Sequence, residues 1–116
     1  MLRMWIGHAV LLSFVSLLWS ICLTASVPGG DQPPSRVQVS IENYAFTPDP
    51  VTVAAGTTVV WMNRDEVAHT VVSNDKLFSS PELEPNASFE FTFKKAGTYA
   101  YFCTLHPEMK GKVVVK

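Results

Sequence analysis

The sequence predicts an all-β sandwich of seven to eight short strands, preceded by an N-terminal apolar targeting helix. Three observations carry this. No stretch after residue 30 shows a helical period of useful length. Apolar residues instead alternate with polar ones at period two, as a strand with one buried face requires. Turn residues separate these runs at roughly even spacing, which is the pattern of a sandwich or barrel.

Residues 1–26 form the targeting segment. Arg3 supplies a short positive end, an apolar run extends from Trp5 to about Leu23, and no charge follows until Asp31. The small residues Thr24, Ala25 and Ser26 fit cleavage of a signal peptide after Ala25 or Ser26. The run is also close to the ~20 residues that span a bilayer, so an uncleaved membrane anchor is the alternative. Both readings export the C-terminal part, because the positive end stays in the cytoplasm. Ile21 stands where a lipoprotein site before Cys22 wants a small residue. Residues 27–35, with Pro28, Gly29, Gly30, Pro33 and Pro34, are a linker. Residues 36–116 are the domain.

Val37, Val39 and Ile41 open that domain as a half-buried strand. Tyr44 and Phe46 follow, and Pro48 and Pro50 then interrupt the ladder. Val51 and Val53 make a short strand and Ala55-Gly56 a turn. Thr57 to Asn63 is a strand with Val59 and Trp61 on one face, Val60 and Met62 on the other. Asn63 to Glu66 reads as a polar turn and His69 to Ser73 as a strand. Asn74 to Ala87 is a polar connection with two prolines. Ser88 to Phe93 points Phe89, Phe91 and Phe93 inward; Thr98 to Phe102 leads straight into Cys103; Lys112 to Val115 closes the domain. Phe46, Trp61, the three Phe, Val113 and Val115 are the expected core.

The formal net charge of the chain is −1; without Arg3, eight Lys and Arg stand against ten Asp and Glu, giving −2. Nothing here makes a basic patch, and nucleic acid is excluded as a partner. Beyond residue 26 the chain holds one cysteine, Cys103, so no disulfide can form within the domain. A single thiol in an exported domain wants a use. The other soft ligands there are His69, His106, Met62 and Met109.

Taken singly, each is ordinary. His69 is a loop histidine, Cys103 a small buried hydrophobe, Met109 core filler. Together they make a pattern: Cys-x2-His-x2-Met follows a strand, and His69 lies thirty-four residues upstream. Two His, one Cys and a weak Met are the ligand set of a blue-copper electron-transfer site. Thiolate suits Cu(I), imidazole tolerates both oxidation states, and a thioether binds too weakly to impose the geometry Cu(II) prefers. Structural zinc wants four firm ligands, and Met is a poor fourth. A c-type haem needs a second Cys that this loop lacks. A Cys–His nucleophile pair lacks an Asn or Asp to orient the base.

The chain from Val37 to Lys116 resembles the cupredoxins, and within them the amicyanin type. The resemblance rests on Phe46-Thr47-Pro48, Ala55-Gly56-Thr57, Trp61-Met62-Asn63, His69 and the run from Tyr101 to Val113. Two residues between His106 and Met109 match the short amicyanin loop rather than the longer plastocyanin one. The resemblance implies a Greek-key sandwich and one type 1 copper ion. It makes His69, Cys103 and His106 the strong ligands and Met109 the long axial one. It further implies a monomeric one-electron carrier of the periplasm, not an enzyme, exchanging electrons with a donor and an acceptor redox protein. Contact with a membrane is expected only through residues 1–26 if they stay uncleaved. A copper-delivery module with the same ligands is the alternative, and such carriers use more Met or His than this domain has. Two positions depart from the family pattern. Thr70 replaces the usual Asn after the first His, and Leu105 replaces the Pro before the second.

Overall fold

A computed structural model of the chain describes residues 35–116. The expected targeting helix and nearly all of the linker lie outside the described residues. Eight strands follow: β1 Arg36–Glu42, β2 Ala45–Thr47, β3 Val51–Val53, β4 Thr57–Asn63, β5 Val72–Ser73, β6 Ser88–Phe93, β7 Gly97–Phe102 and β8 Lys110–Val115. They form two four-stranded sheets, ordered β2-β1-β4-β6 and β3-β8-β7-β5. No helix occurs among the described residues, and the all-β expectation holds.

The strand order follows from how the chain alternates between sheets. β1 and β2 form a hairpin in which Glu42 faces Ala45, so only Asn43 and Tyr44 make the turn. The chain then crosses to the second sheet for β3 and returns to lay β4 parallel to β1. It crosses again through residues 64–71 to β5. β7 is thereby an inner strand of the second sheet, flanked by β8 and β5. Its end carries Cys103 into the gap that the 64–71 crossover spans.

Trp61 is the centre of the core and is fully buried. Its ring meets Tyr101 edge-on, with centroids 5.3 Å apart, and packs beside Phe78 and Phe89 at 5.5 and 5.9 Å. Truncating such a residue costs about 3–5 kcal/mol. Tyr101 reaches the core across Gly111, where any Cβ would stand 2.5 Å from the phenol ring and oxygen. The Trp61 Nε1 and Tyr101 hydroxyl are both buried without a hydrogen-bond partner. Burial pushes the Tyr101 hydroxyl above the usual phenol range; Trp61 opposes this and the charge of Asp49 adds to it.

The structure differs from the sequence reading in three places. His69 to Ser73 is not one strand: only Val72–Ser73 is regular, and His69 makes an isolated bridge to Leu83. Pro81 and Pro85 interrupt the facing segment, so side chains replace part of the ladder. Ser80 Oγ accepts from the Val71 amide at 2.8 Å, and Ser73 Oγ accepts from the Phe78 amide at 3.0 Å. The supposedly polar connection supplies core, since Phe78 and Leu83 are buried. Finally, Phe93 is buried but Phe89 and Phe91 only partly so, because β6 is an edge strand with one uncovered flank.

Candidate metal centre

The first arm of the centre begins where β4 ends. Asn63 is fully buried, and its side chain is saturated. The Nδ2 group donates to the carbonyls of Val67 and Leu83 at 2.8 Å each, while Oδ1 accepts from the Asp65 amide at 2.9 Å. Four residues are thus wrapped around one amide side chain, a local turn of the kind Asn favours. The wrap turns the chain back into the protein at His69. The Leu83 amide donates to the His69 carbonyl at 2.7 Å and the His69 amide to the Leu83 carbonyl at 3.2 Å.

The imidazole of His69 is fully buried, with a carboxylate behind it. Its Nε2 lies 2.8 Å from Asp65 Oδ2. An ionised carboxylate only accepts, so Nε2 carries the proton and Nδ1 presents its lone pair. The same carboxylate accepts from the Asn43 amide at 2.7 Å and the Tyr44 amide at 3.0 Å. Burial alone would raise the Asp65 carboxyl. The amides of Tyr44 and Asn43, with the hydrogen bond and charge of His69, outweigh burial and hold it below the usual carboxylate range.

The second arm is the loop that follows β7. Cys103 is fully buried, and its amide donates to the Met109 carbonyl at 3.0 Å. The Met109 amide donates in turn to the His106 carbonyl at 2.9 Å. These two bonds close the loop on itself. His106 is left half-buried at its tip, Met109 returns to the interior, and Leu105 and Pro107 are exposed. Loop and arm are joined by Thr70. Its hydroxyl accepts from the Thr104 amide at 2.7 Å and sits 2.7 Å from the Thr104 hydroxyl. If that hydroxyl donates to Thr70, the Thr70 proton is free for Cys103 Sγ, 3.7 Å away. The Thr70 amide also points at the sulfur, at 3.4 Å. A threonine pair therefore braces the loop against the His69 arm.

Between the two arms the ligand atoms converge. Cys103 Sγ lies 3.8 Å from Nδ1 of His69 and 3.8 Å from Nδ1 of His106, and the three atoms lie within 4.8 Å of one another. Metal bonds of about 2.0–2.1 Å to nitrogen and 2.3 Å to sulfur put two ligand atoms at most about 4.4 Å apart. Both sulfur–nitrogen spacings of 3.8 Å fall inside that limit, as ligands of one ion require. Met109 lines a small pocket of about 280 Å³ with Tyr44, His106 and Glu108.

Three residues here were missed from sequence. Asn63 and Asp65 read as turn residues. An acid four positions before a candidate ligand was the one available signal, since metal-binding imidazoles commonly lean on a carboxylate. Tyr44 gave no signal at all. It sits at the β1–β2 turn with φ of 56°, after Asn43 at 53°. Two left-handed central residues make the turn whose preferred sequence is Asn-Gly. A tyrosine in the glycine position costs roughly 1–2 kcal/mol. Its ring meets those of His69 and His106 edge-on, at 5.4 and 5.0 Å.

The family model described as a cupredoxin-like domain matches residues 11–115. Amicyanin of Paracoccus versutus is 36% identical over 95 residues, covering 78% of this chain and 72% of that protein. Amicyanin-alpha of Methylorubrum extorquens is 33% identical over 116 residues, covering 90% of this chain and 98% of that one. Among solved structures, a purple cupredoxin from Nitrosopumilus maritimus superposes with a TM-score of 0.67 at 35% identity, covering 69% of this chain and 99% of that one.

Proposed function

The chain belongs to the cupredoxin-like family, and we propose that it is a one-electron carrier with a single type 1 copper ion. The observation that carries this is one buried thiol with two imidazole Nδ1 atoms at 3.8 Å, in a fold of that family. His69, Cys103 and His106 are the strong ligands and Met109 the weak one. When bound, the copper supplies the chemistry by alternating between Cu(I) and Cu(II).

The chain's own groups do the rest. Asp65 fixes the tautomer and tilt of His69. Thr70 directs its amide at the Cys103 sulfur and helps to hold it in place. The two arms are braced independently of any ion, so a change of charge at the site requires little rearrangement. His106, half-buried at the loop tip, is the route for the electron. Leu105, Tyr44 and Val67 are three of the four exposed large hydrophobics among the described residues. We place the contact with donor and acceptor redox proteins around His106, on Leu105 and Tyr44. Transient redox contacts bury under ~1,200 Å² in total, which a few apolar side chains satisfy. The chain acts in an exported compartment, with no substrate chemistry of its own.

The test is the absorption spectrum of the purified protein after addition of Cu(II). An intense thiolate-to-copper band is expected, and Cys103→Ala abolishes it while the sandwich still folds. Wild-type protein that stays colourless, or that selects zinc over copper, overturns the reading.

A further inference from the structure

Tyr44 occupies a position its backbone disfavours. The two-residue turn would be relaxed with glycine there, and the sequence instead holds a large ring that is half exposed to solvent. Only about half of the residue is buried, and it adds nothing to the core cluster. What it does have is contact. It stands edge-on to both His69 and His106, nearly perpendicular to each at 89° and 83°. His69 is fully buried beneath it. Backbone strain that persists beside a site points to a role in that site.

The position is also held by a residue of the centre itself. Asp65, whose carboxylate orients His69, accepts the amides of Asn43 and Tyr44. One side chain thus fixes the ligand and the turn that covers it. The clamp grips the backbone and not the phenol, so the ring can be removed without releasing the turn. Beside the ring lies the small pocket lined by Tyr44, His106, Glu108 and Met109. The Glu108 carboxylate on its rim disfavours anions.

We propose that Tyr44 is a cap: its ring closes the opening over the two imidazoles against small exogenous ligands, anionic ones above all. The residue excludes such molecules and takes no part in metal binding. The copper half of this rests on the function proposed above; the closure of the cluster does not.

The experiment therefore has a metal-free and a loaded arm. In the metal-free protein, the rate of Cys103 alkylation by iodoacetamide is compared in wild type, Tyr44→Phe, Tyr44→Gly and Tyr44→Asn. Glycine relaxes the turn, so Tyr44→Gly raises the melting temperature by about 4–8 °C. A merely structural tyrosine then predicts slower alkylation, because the stabler protein opens less often. The cap predicts the opposite sign: alkylation about tenfold faster in Tyr44→Gly and faster in Tyr44→Asn, with Tyr44→Phe like wild type. Unchanged or slower alkylation in both ringless variants overturns the cap. In the loaded arm, azide perturbs the visible spectrum of Tyr44→Gly and leaves wild type and Tyr44→Phe unaffected. Equal perturbation of all three also overturns it. A wild type that never colours with copper defeats the function proposed above, while the alkylation result still decides the cap.

Discussion

The two arms of the centre are built in opposite ways. The Cys103–Met109 loop is short and contiguous, and its own backbone closes it through Cys103 to Met109 and Met109 to His106. The His69 arm delivers one residue and is held from outside itself. Asn63, Asp65 and Leu83 each supply hydrogen bonds, and the turn at Asn43 and Tyr44 is tied in through Asp65. One arm is positioned by its own backbone, the other by side-chain bonds, some local and some reaching across the fold. The loop should therefore tolerate damage to its surroundings, whereas the His69 arm should fail whenever a distant partner is lost.

The sharpest way to break that contrast is Asn63→Ala. It removes the side-chain donor from the carbonyls of Val67 and Leu83, leaving Leu83 only the weaker bond from the His69 amide, and releases the Asp65 amide. Leaving buried groups unsatisfied costs ~1–3 kcal/mol apiece, so a loss of about 3 kcal/mol is expected in chemical denaturation of the metal-free protein. Hydrogen exchange should speed up at His69 and Leu83 and stay slow at Cys103 and Met109. Equal acceleration in both arms would show that they are one unit.

Asp65→Asn comes next, at about 2 kcal/mol near neutral pH, since hydrogen bonds to a charged group are worth ~1.5–3 kcal/mol. Its pH dependence has a definite sign. The carboxyl is held below its ordinary 3.8 in the folded protein. Its stabilisation is therefore complete above that value and is lost as the pH falls through the lower folded one. Acid unfolding of the metal-free wild type should be steeper below pH ~4 than that of Asp65→Asn. Parallel acid limbs would remove Asp65 from its bracing role.

The same contrast explains what could be read from sequence. The loop was legible because its function needs Cys103, His106 and Met109 at fixed spacing in one segment. The strands β4, β6 and β8 were legible because a half-buried strand must alternate. His69 was found only because few other soft ligands exist in the domain. Its supports were hardly legible: Asn63, Asp65 and Tyr44 are turn residues, and apart from the bonds of Asn63 to Val67 and Asp65 to His69 their partners lie across the fold. Period two also failed where hydroxyls replace the ladder. Ser73 and Ser80 take bonds that a regular strand would give to backbone, and the apolar Phe78 and Leu83 were hidden in a segment that composition marked as polar connection.

Thr70→Val tests the joint between the arms. It keeps the shape of the side chain and removes the acceptor of the Thr104 amide. A loss of about 1 kcal/mol is expected for this nearly buried bond. The Thr104 amide should exchange faster, while the closure from Cys103 to Met109 persists. Collapse of the whole loop would mean that it depends on the His69 arm after all.

The smallest effect on stability belongs to Leu105→Glu, and it is the most informative about function. Leu105 is 43% exposed, makes no hydrogen bond through its side chain and has no atom to offer a metal. Exposed substitutions of this kind fall within about ±0.5 kcal/mol. The loop's closing bonds run through Cys103, His106 and Met109, so they survive the change. What changes is the surface beside His106, where an apolar contact becomes a carboxylate close to Glu108. If electrons pass between proteins at this tip, the added charge must be desolvated in every encounter. Electron self-exchange, measured by line broadening in mixtures of oxidised and reduced protein, should slow while the visible spectrum stays the same. The slowing has two sources that salt separates. Repulsion between the new carboxylates is screened within about 10 Å at 0.1 M salt, whereas the lost apolar contact is not. A deficit that persists at high salt locates the contact at Leu105 itself; a deficit that vanishes reduces its role to charge. Unchanged self-exchange at both salt concentrations would move the docking surface off the loop and leave Leu105 as an ordinary exposed leucine.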